Sequence, residues 1–129
     1  MEDHLRQLLI EELGRARHGF GLADTFDSEA TRSSPVCGDR VTVRISGDRI
    51  SWEGNGCAVS LAAASALGAL SVAHVTAVAA AYLASVAPGG IPVEEHDLAA
   101  FAGIGRFPLR AGCATLAWRA ASEALAVPG

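Results

Sequence analysis

The chain predicts an α+β fold, a small antiparallel sheet packed on one face by helices. Three features carry that expectation. Residues 40–53 alternate apolar with polar and turn once, at Gly47-Asp48. The N-terminus repeats apolar residues at helical spacing. From Cys57 onward the chain is a succession of alanine-rich, helix-forming segments. A sheet that is apolar on one side needs a covering layer, and helices are what the remaining chain supplies.

Taken in order, residues 2–14 read as the first helix. Leu5, Leu8, Leu9, Ile10 and Leu13 are expected on one side, with Arg6, Glu11 and Glu12 on the other, and Gly14 at its end. Residues 15–36 form a long connection, with a short strand expected near Glu29–Arg32. In the hairpin, Val41, Val43 and Ile45 alternate with Arg40, Thr42 and Arg44, and Ile50 and Trp52 continue the apolar face on the return. Helices are expected at 58–69, 72–86, 94–102 and 114–125. Ser71 is an N-cap for the second of these, and Pro88-Gly89-Gly90 ends it. Its stripe is Val72, Val75, Ala79, Tyr82 and Val86. Leu98 and Phe101 of the third are expected to face the core. The last places Leu116, Ala117, Ala120 and Leu125 inward, with Trp118 on the adjoining side.

Composition narrows the function. The 129 residues are 50% hydrophobic and 19% charged, which suits one domain spanning 1–129 with a real core. Net charge is -4 and the pI about 5.5, against a nucleic-acid or anionic-membrane surface. Lysine is absent, so no Schiff base or lysine general base is available. The run between Glu53 and Glu94 has no Asp, Glu, Lys or Arg, a length that could cross a bilayer. Alanine dominates it, however, with serines, Thr76, His74 and Gly68 interspersed, so it reads as two buried or partner-facing helices, which could form a homodimer interface. The N-terminus is charged and carries no apolar signal segment, so the expectation is a cytoplasmic chain. Three cysteines there fit thiols or metal ligands better than disulfides.

All three cysteines sit at junctions between turns and regular elements. Cys37 stands two residues before Asp39, which directly precedes the hairpin, Cys57 follows Gly54-Asn55-Gly56, and Cys113 follows Gly112. Three thiolates and a carboxylate suit four-coordinate zinc. Singly, each cysteine also fits a small buried apolar residue, and Asp39 a turn residue. His4, His18, His74 and His96 show no mutual ligand spacing, although His18 is an alternate ligand in principle. Gly103-Ile104-Gly105 lacks the strand and third glycine of a nucleotide loop.

Three segments decide between these readings. Pro35-Val36-Cys37-Gly38-Asp39-Arg40, Gly54-Asn55-Gly56-Cys57-Ala58-Val59-Ser60 and Phe107-Pro108-Leu109-Arg110-Ala111-Gly112-Cys113 resemble, in order, the three signatures of the SufU family within the IscU-like superfamily of iron–sulfur assembly proteins. The resemblance covers roughly residues 34–120. It implies that Cys37, Asp39, Cys57 and Cys113 hold Zn²⁺, and that the partner is a PLP-dependent cysteine desulfurase of the SufS type. It further implies that a histidine of that enzyme displaces one zinc ligand, and that Cys37 is the thiolate that accepts sulfur for a downstream sulfur or cluster acceptor. Arg110 is expected beside the site, holding Asp39 or balancing its charge. The alternative is a scaffold that assembles a [2Fe–2S] cluster on the same residues. Gly112 stands where such scaffolds carry a histidine, and Phe107-Pro108-Leu109-Arg110 replaces their chaperone segment. A third reading is a protein that regulates a desulfurase without carrying sulfur.

Overall fold

The computed structural model describes residues 2–35 and 38–126, with His96 by its backbone alone. The elements in order are α1 (Asp3–Ala16), β1 (Ser28–Ser33), β2 (Arg40–Ser46), β3 (Arg49–Asn55), α2 (Ala58–Gly68), α3 (Val72–Val86), α4 (His96–Ala99), a 3-10 turn at Ile104–Arg106, and α5 (Pro108–Ala126). The strands form one antiparallel sheet in the order β1-β2-β3. Ala30 lies opposite Val43, and Val43 opposite Trp52.

The alternation expected in the hairpin is present. Val41, Val43, Ile45, Ile50 and Trp52 are all buried, while the other face is partly wet. There Arg44 pairs with Glu29 at 2.6 Å, and the Thr31 and Thr42 hydroxyls meet at 2.7 Å. The connection before β1 lies along β3. Gly21 donates to the Trp52 carbonyl at 2.8 Å, and the Trp52 amide donates to Gly19 at 2.9 Å. The indole of Trp52 donates to the His18 carbonyl at 2.7 Å.

Helices α2 and α5 cover the apolar face. α2 is buried nearly all round, from Val59 to Leu67, which is why it shows no one-sided stripe. Its small side chains let neighbours approach closely. A Cβ on Gly68 would lie 2.1 Å from the His18 carbonyl oxygen, so only glycine fits there. α3 is capped by Ser71, whose side chain accepts from the His74 amide as expected. Its Tyr82 stacks on Trp118 of α5 with centroids 4.2 Å apart and donates to the Ala114 carbonyl at 2.7 Å. Burial alone raises the Tyr82 phenol well above its usual pKa. Among the described residues no helix is long and apolar enough to cross a membrane.

Several expectations are corrected. α1 runs past Gly14 to Ala16 and ends at Arg17, which takes a left-handed conformation. Its inner face is Ile10 and Leu13, with Arg6 one turn earlier on the same side. Leu8 lies about 200° round the helix from Ile10, so Leu8, and Leu5 beside it, are exposed. The helix expected at 94–102 is only His96–Ala99. Beyond it Phe101 and Ala102 donate to carbonyls three residues back, and Gly103 turns the chain at a φ of 71°. Leu98 and Phe101 nonetheless face the core. α5 starts at Pro108 rather than near 114, because proline at the first helical position loses no hydrogen bond. Trp118 is fully buried rather than flanking, and Leu125 is only partly covered.

Candidate metal centre

Three of the four implied ligands converge. One oxygen of Asp39 and the sulfurs of Cys57 and Cys113 all lie within 4.8 Å of one another. Each comes from a different part of the fold. Asp39 directly precedes β2, Cys57 is the N-cap of α2, and Cys113 is in the second turn of α5. Cys37 lies outside the described residues. The chain on either side of it is tied together, with Gly38 donating to the Ser34 carbonyl at 3.0 Å and Ser34 to the Asp39 carbonyl at 2.8 Å.

Asp39 and Cys113 are buried, whereas Cys57 is exposed. The Asp39 carboxylate sits at the N-terminus of α2, where unpaired amides and the helix dipole favour an anion. Its Oδ2 accepts from the Cys57 amide at 3.3 Å and from the Ser60 hydroxyl at 2.5 Å. The Cys113 thiol lies 3.4 Å from the same oxygen and 3.3 Å from the Leu109 carbonyl. Gly56 makes the approach possible, since a Cβ there would stand 2.9 Å from the Asp39 Cγ.

Cys57 stands at a junction between a turn and a helix as expected, whereas Cys113 does not. α5 begins at Pro108, so Cys113 lies inside it, beyond the strongest part of the dipole. Arg110 is exposed in the first turn of α5, with its guanidinium 5.8 Å from the centre of the Phe107 ring. It lines an open groove together with Arg6, Phe107, Leu109 and both cysteines. His18 lies elsewhere, its backbone bonded to Ser65 and Trp52, and no histidine joins the ligand group among the described residues. His74 pairs with Glu95 at 2.8 Å. Sequence reasoning placed Ser60 in a motif without giving it a role. Its position three residues after the N-cap cysteine, where a side chain turns back toward the helix start, was the available signal.

The donor set fits a tetrahedral metal. Around zinc, with metal–sulfur bonds of about 2.3 Å, neighbouring donor atoms stand roughly 3.3–3.8 Å apart. The sulfurs and the carboxylate here need only a small contraction to reach that spacing.

Over 132 aligned residues the chain is 30% identical to the zinc-dependent sulfurtransferase SufU of Bacillus subtilis (strain 168), across 94% of this chain and 88% of that protein. The chain belongs to the SufU family. This SufU-family chain is also 28% identical over 134 residues to the iron–sulfur cluster assembly scaffold protein IscU of Streptococcus pyogenes serotype M1, covering 95% of this chain and 84% of that one. No protein-family model matches it. Solved structures share the fold. A NifU-like protein (N-terminal) from Brucella abortus superposes with a TM-score of 0.75 at 21% identity, over 91% of this chain and 89% of that one. FiSufU of Fervidobacterium islandicum AW-1 superposes with a TM-score of 0.74 at 21% identity, over 91% and 93%. All three chains therefore share one fold.

Proposed function

We propose that this protein is a zinc-dependent sulfur carrier that accepts sulfane sulfur from a cysteine desulfurase. The observation that carries the reading is the meeting of Asp39, Cys57 and Cys113, with the two cysteines on the wall of an open groove and Asp39 buried behind them. Two thiols and a carboxylate in tetrahedral reach are a zinc donor set, and the name of the B. subtilis relative agrees. Cys37 is the fourth ligand. Two residues of chain span at most about 7 Å, which keeps Cys37 close to the buried Asp39. Bound zinc would be redox-inert and would keep its cysteine ligands deprotonated.

The chain's own part of the chemistry is thiol exchange. The Cys37 thiolate attacks the terminal sulfur of a persulfide on the partner enzyme. A new sulfur–sulfur bond forms on Cys37, the partner's sulfur–sulfur bond breaks, and the partner's cysteine leaves as a thiolate with the bonding pair. No external oxidant or reductant is consumed. The partner is a PLP-dependent enzyme of the SufS type, reached at the groove, and the setting is the reducing cytoplasm. Arg110 stands on the groove wall, where its charge offsets a centre that is net anionic with four such ligands. From Cys37 the sulfur passes to a downstream acceptor.

A second reading has its own support. The same donors would hold a [2Fe–2S] cluster, and the streptococcal relative is named a scaffold. Desulfurase turnover, read as alanine released from cysteine, tests the carrier reading. The wild-type chain should stimulate turnover, and Cys37→Ala should not. Stimulation that survives the loss of Cys37 would refute the acceptor role.

A further inference from the structure

Ser60 occupies the third position of α2 and is 1% exposed, so no water replaces its hydroxyl. Its Oγ is 2.5 Å from the Asp39 Oδ2 and 3.7 Å from the Cys57 Sγ. One hydroxyl proton thus faces two members of the metal centre, and the short distance assigns it to the carboxylate. The Cys57 amide supplies a second hydrogen bond to the same oxygen. The donors belong to the N-cap and first turn of α2, an element packed between α1 and α5.

We infer that Ser60 is a positioning residue for the metal centre, fixing the rotation of the Asp39 carboxylate so that it meets the sulfurs of Cys57 and Cys113. The inference rests on the proposed metal-binding role of Asp39. Without the hydroxyl, the carboxylate loses its shortest hydrogen bond, and its rotation is less closely fixed. Asp39 then reaches the metal position only part of the time. Partners that orient a ligand in this way are typically worth 10–100-fold in metal affinity.

The test is zinc affinity by competition with a chromophoric chelator, under anaerobic conditions, on four full-length proteins: wild type, Ser60→Ala, Asp39→Ala and the double variant. Ser60→Ala should bind zinc about 10–100-fold more weakly than wild type. In the Asp39→Ala background the same change should cost nothing further, because Ser60 acts through Asp39. A loss of equal size in both backgrounds would show a merely structural role and overturn the inference. Full affinity in Ser60→Ala would overturn it too, while leaving the metal centre itself intact. A wild-type chain that binds no zinc would instead defeat the proposed function. The zinc-loaded wild-type protein gives a check free of variant folding. Proton NMR should show a downfield, slowly exchanging Ser60 hydroxyl, and its absence would refute the hydrogen bond.

Discussion

The indole N–H of Trp118 donates to the carbonyl of Ala63 across 3.0 Å, pinning α5 to α2. Cys113 and Cys57 stand upstream of that bond in, or at the cap of, the same two helices, so it helps hold the two sulfurs at a fixed separation. Trp118 is also fully buried and stacked on Tyr82. Trp118→Phe should cost about 1–3 kcal/mol through the lost bond and imperfect fill. Trp118→Ala should cost about 3–5 kcal/mol through the cavity. Urea unfolding reads both as a lower midpoint at unchanged slope.

Two glycines should respond to alanine in opposite directions. At Gly68 the new methyl would meet the His18 backbone carbonyl at 2.1 Å, which no side-chain rotation can relieve. Gly68→Ala should therefore destabilise by about 1–3 kcal/mol. At Gly112, exposed within α5, the methyl meets nothing within 4 Å. Gly112→Ala should stabilise by about 0.5–1 kcal/mol through helix propensity. Thermal unfolding midpoints of the two variants decide the matter, and equal shifts would contradict the packing described.

The sheet was legible because one face is buried, so that Val41, Val43, Ile45, Ile50 and Trp52 had to alternate with polar residues. Ser71 announced α3 through ordinary capping chemistry. The α5 boundary was not legible, because Pro108 and Gly112 resemble loop residues until the helix is seen to begin on the proline. Nor was the orientation of α1. Five apolar residues crowd its sequence, and only contact with the rest of the fold selects Ile10 and Leu13 over Leu5 and Leu8. At the centre, the motifs named Asp39, Cys57 and Cys113 together, and the fold brings their side chains within reach of one another. The hydroxyl of Ser60 was hidden, because serine in a small-residue helix has many bland uses.

Tyr82 should govern alkaline stability. Its folded-state pKa lies above the unfolded value of 10.0, so the native state keeps the proton longer. Stability is then complete below about pH 10 and falls as pH rises past it. The chain has one tyrosine and no lysine, which leaves few other groups titrating there. Phenolate absorbance should appear only as the protein unfolds. Tyr82→Phe should lose about 0.5–1.5 kcal/mol at neutral pH yet show a flatter alkaline limb.

Metal should stabilise the fold through these ligands. With free zinc at a hundred times its Kd, the wild-type chain should gain about 2.7 kcal/mol. Cys113→Ser should gain far less at the same zinc concentration, since its weaker donor replaces a buried sulfur of the centre. Calorimetry with and without a chelator measures both, and equal gains would remove Cys113 from the ligand set.

The most direct test is the metal content of the chain purified anaerobically with no metal added. The account predicts about one zinc per chain, with negligible iron and acid-labile sulfide. Iron with matching sulfide would contradict it and favour the scaffold. A folded protein with no metal would mean that the meeting of Asp39, Cys57 and Cys113 serves no metal at all.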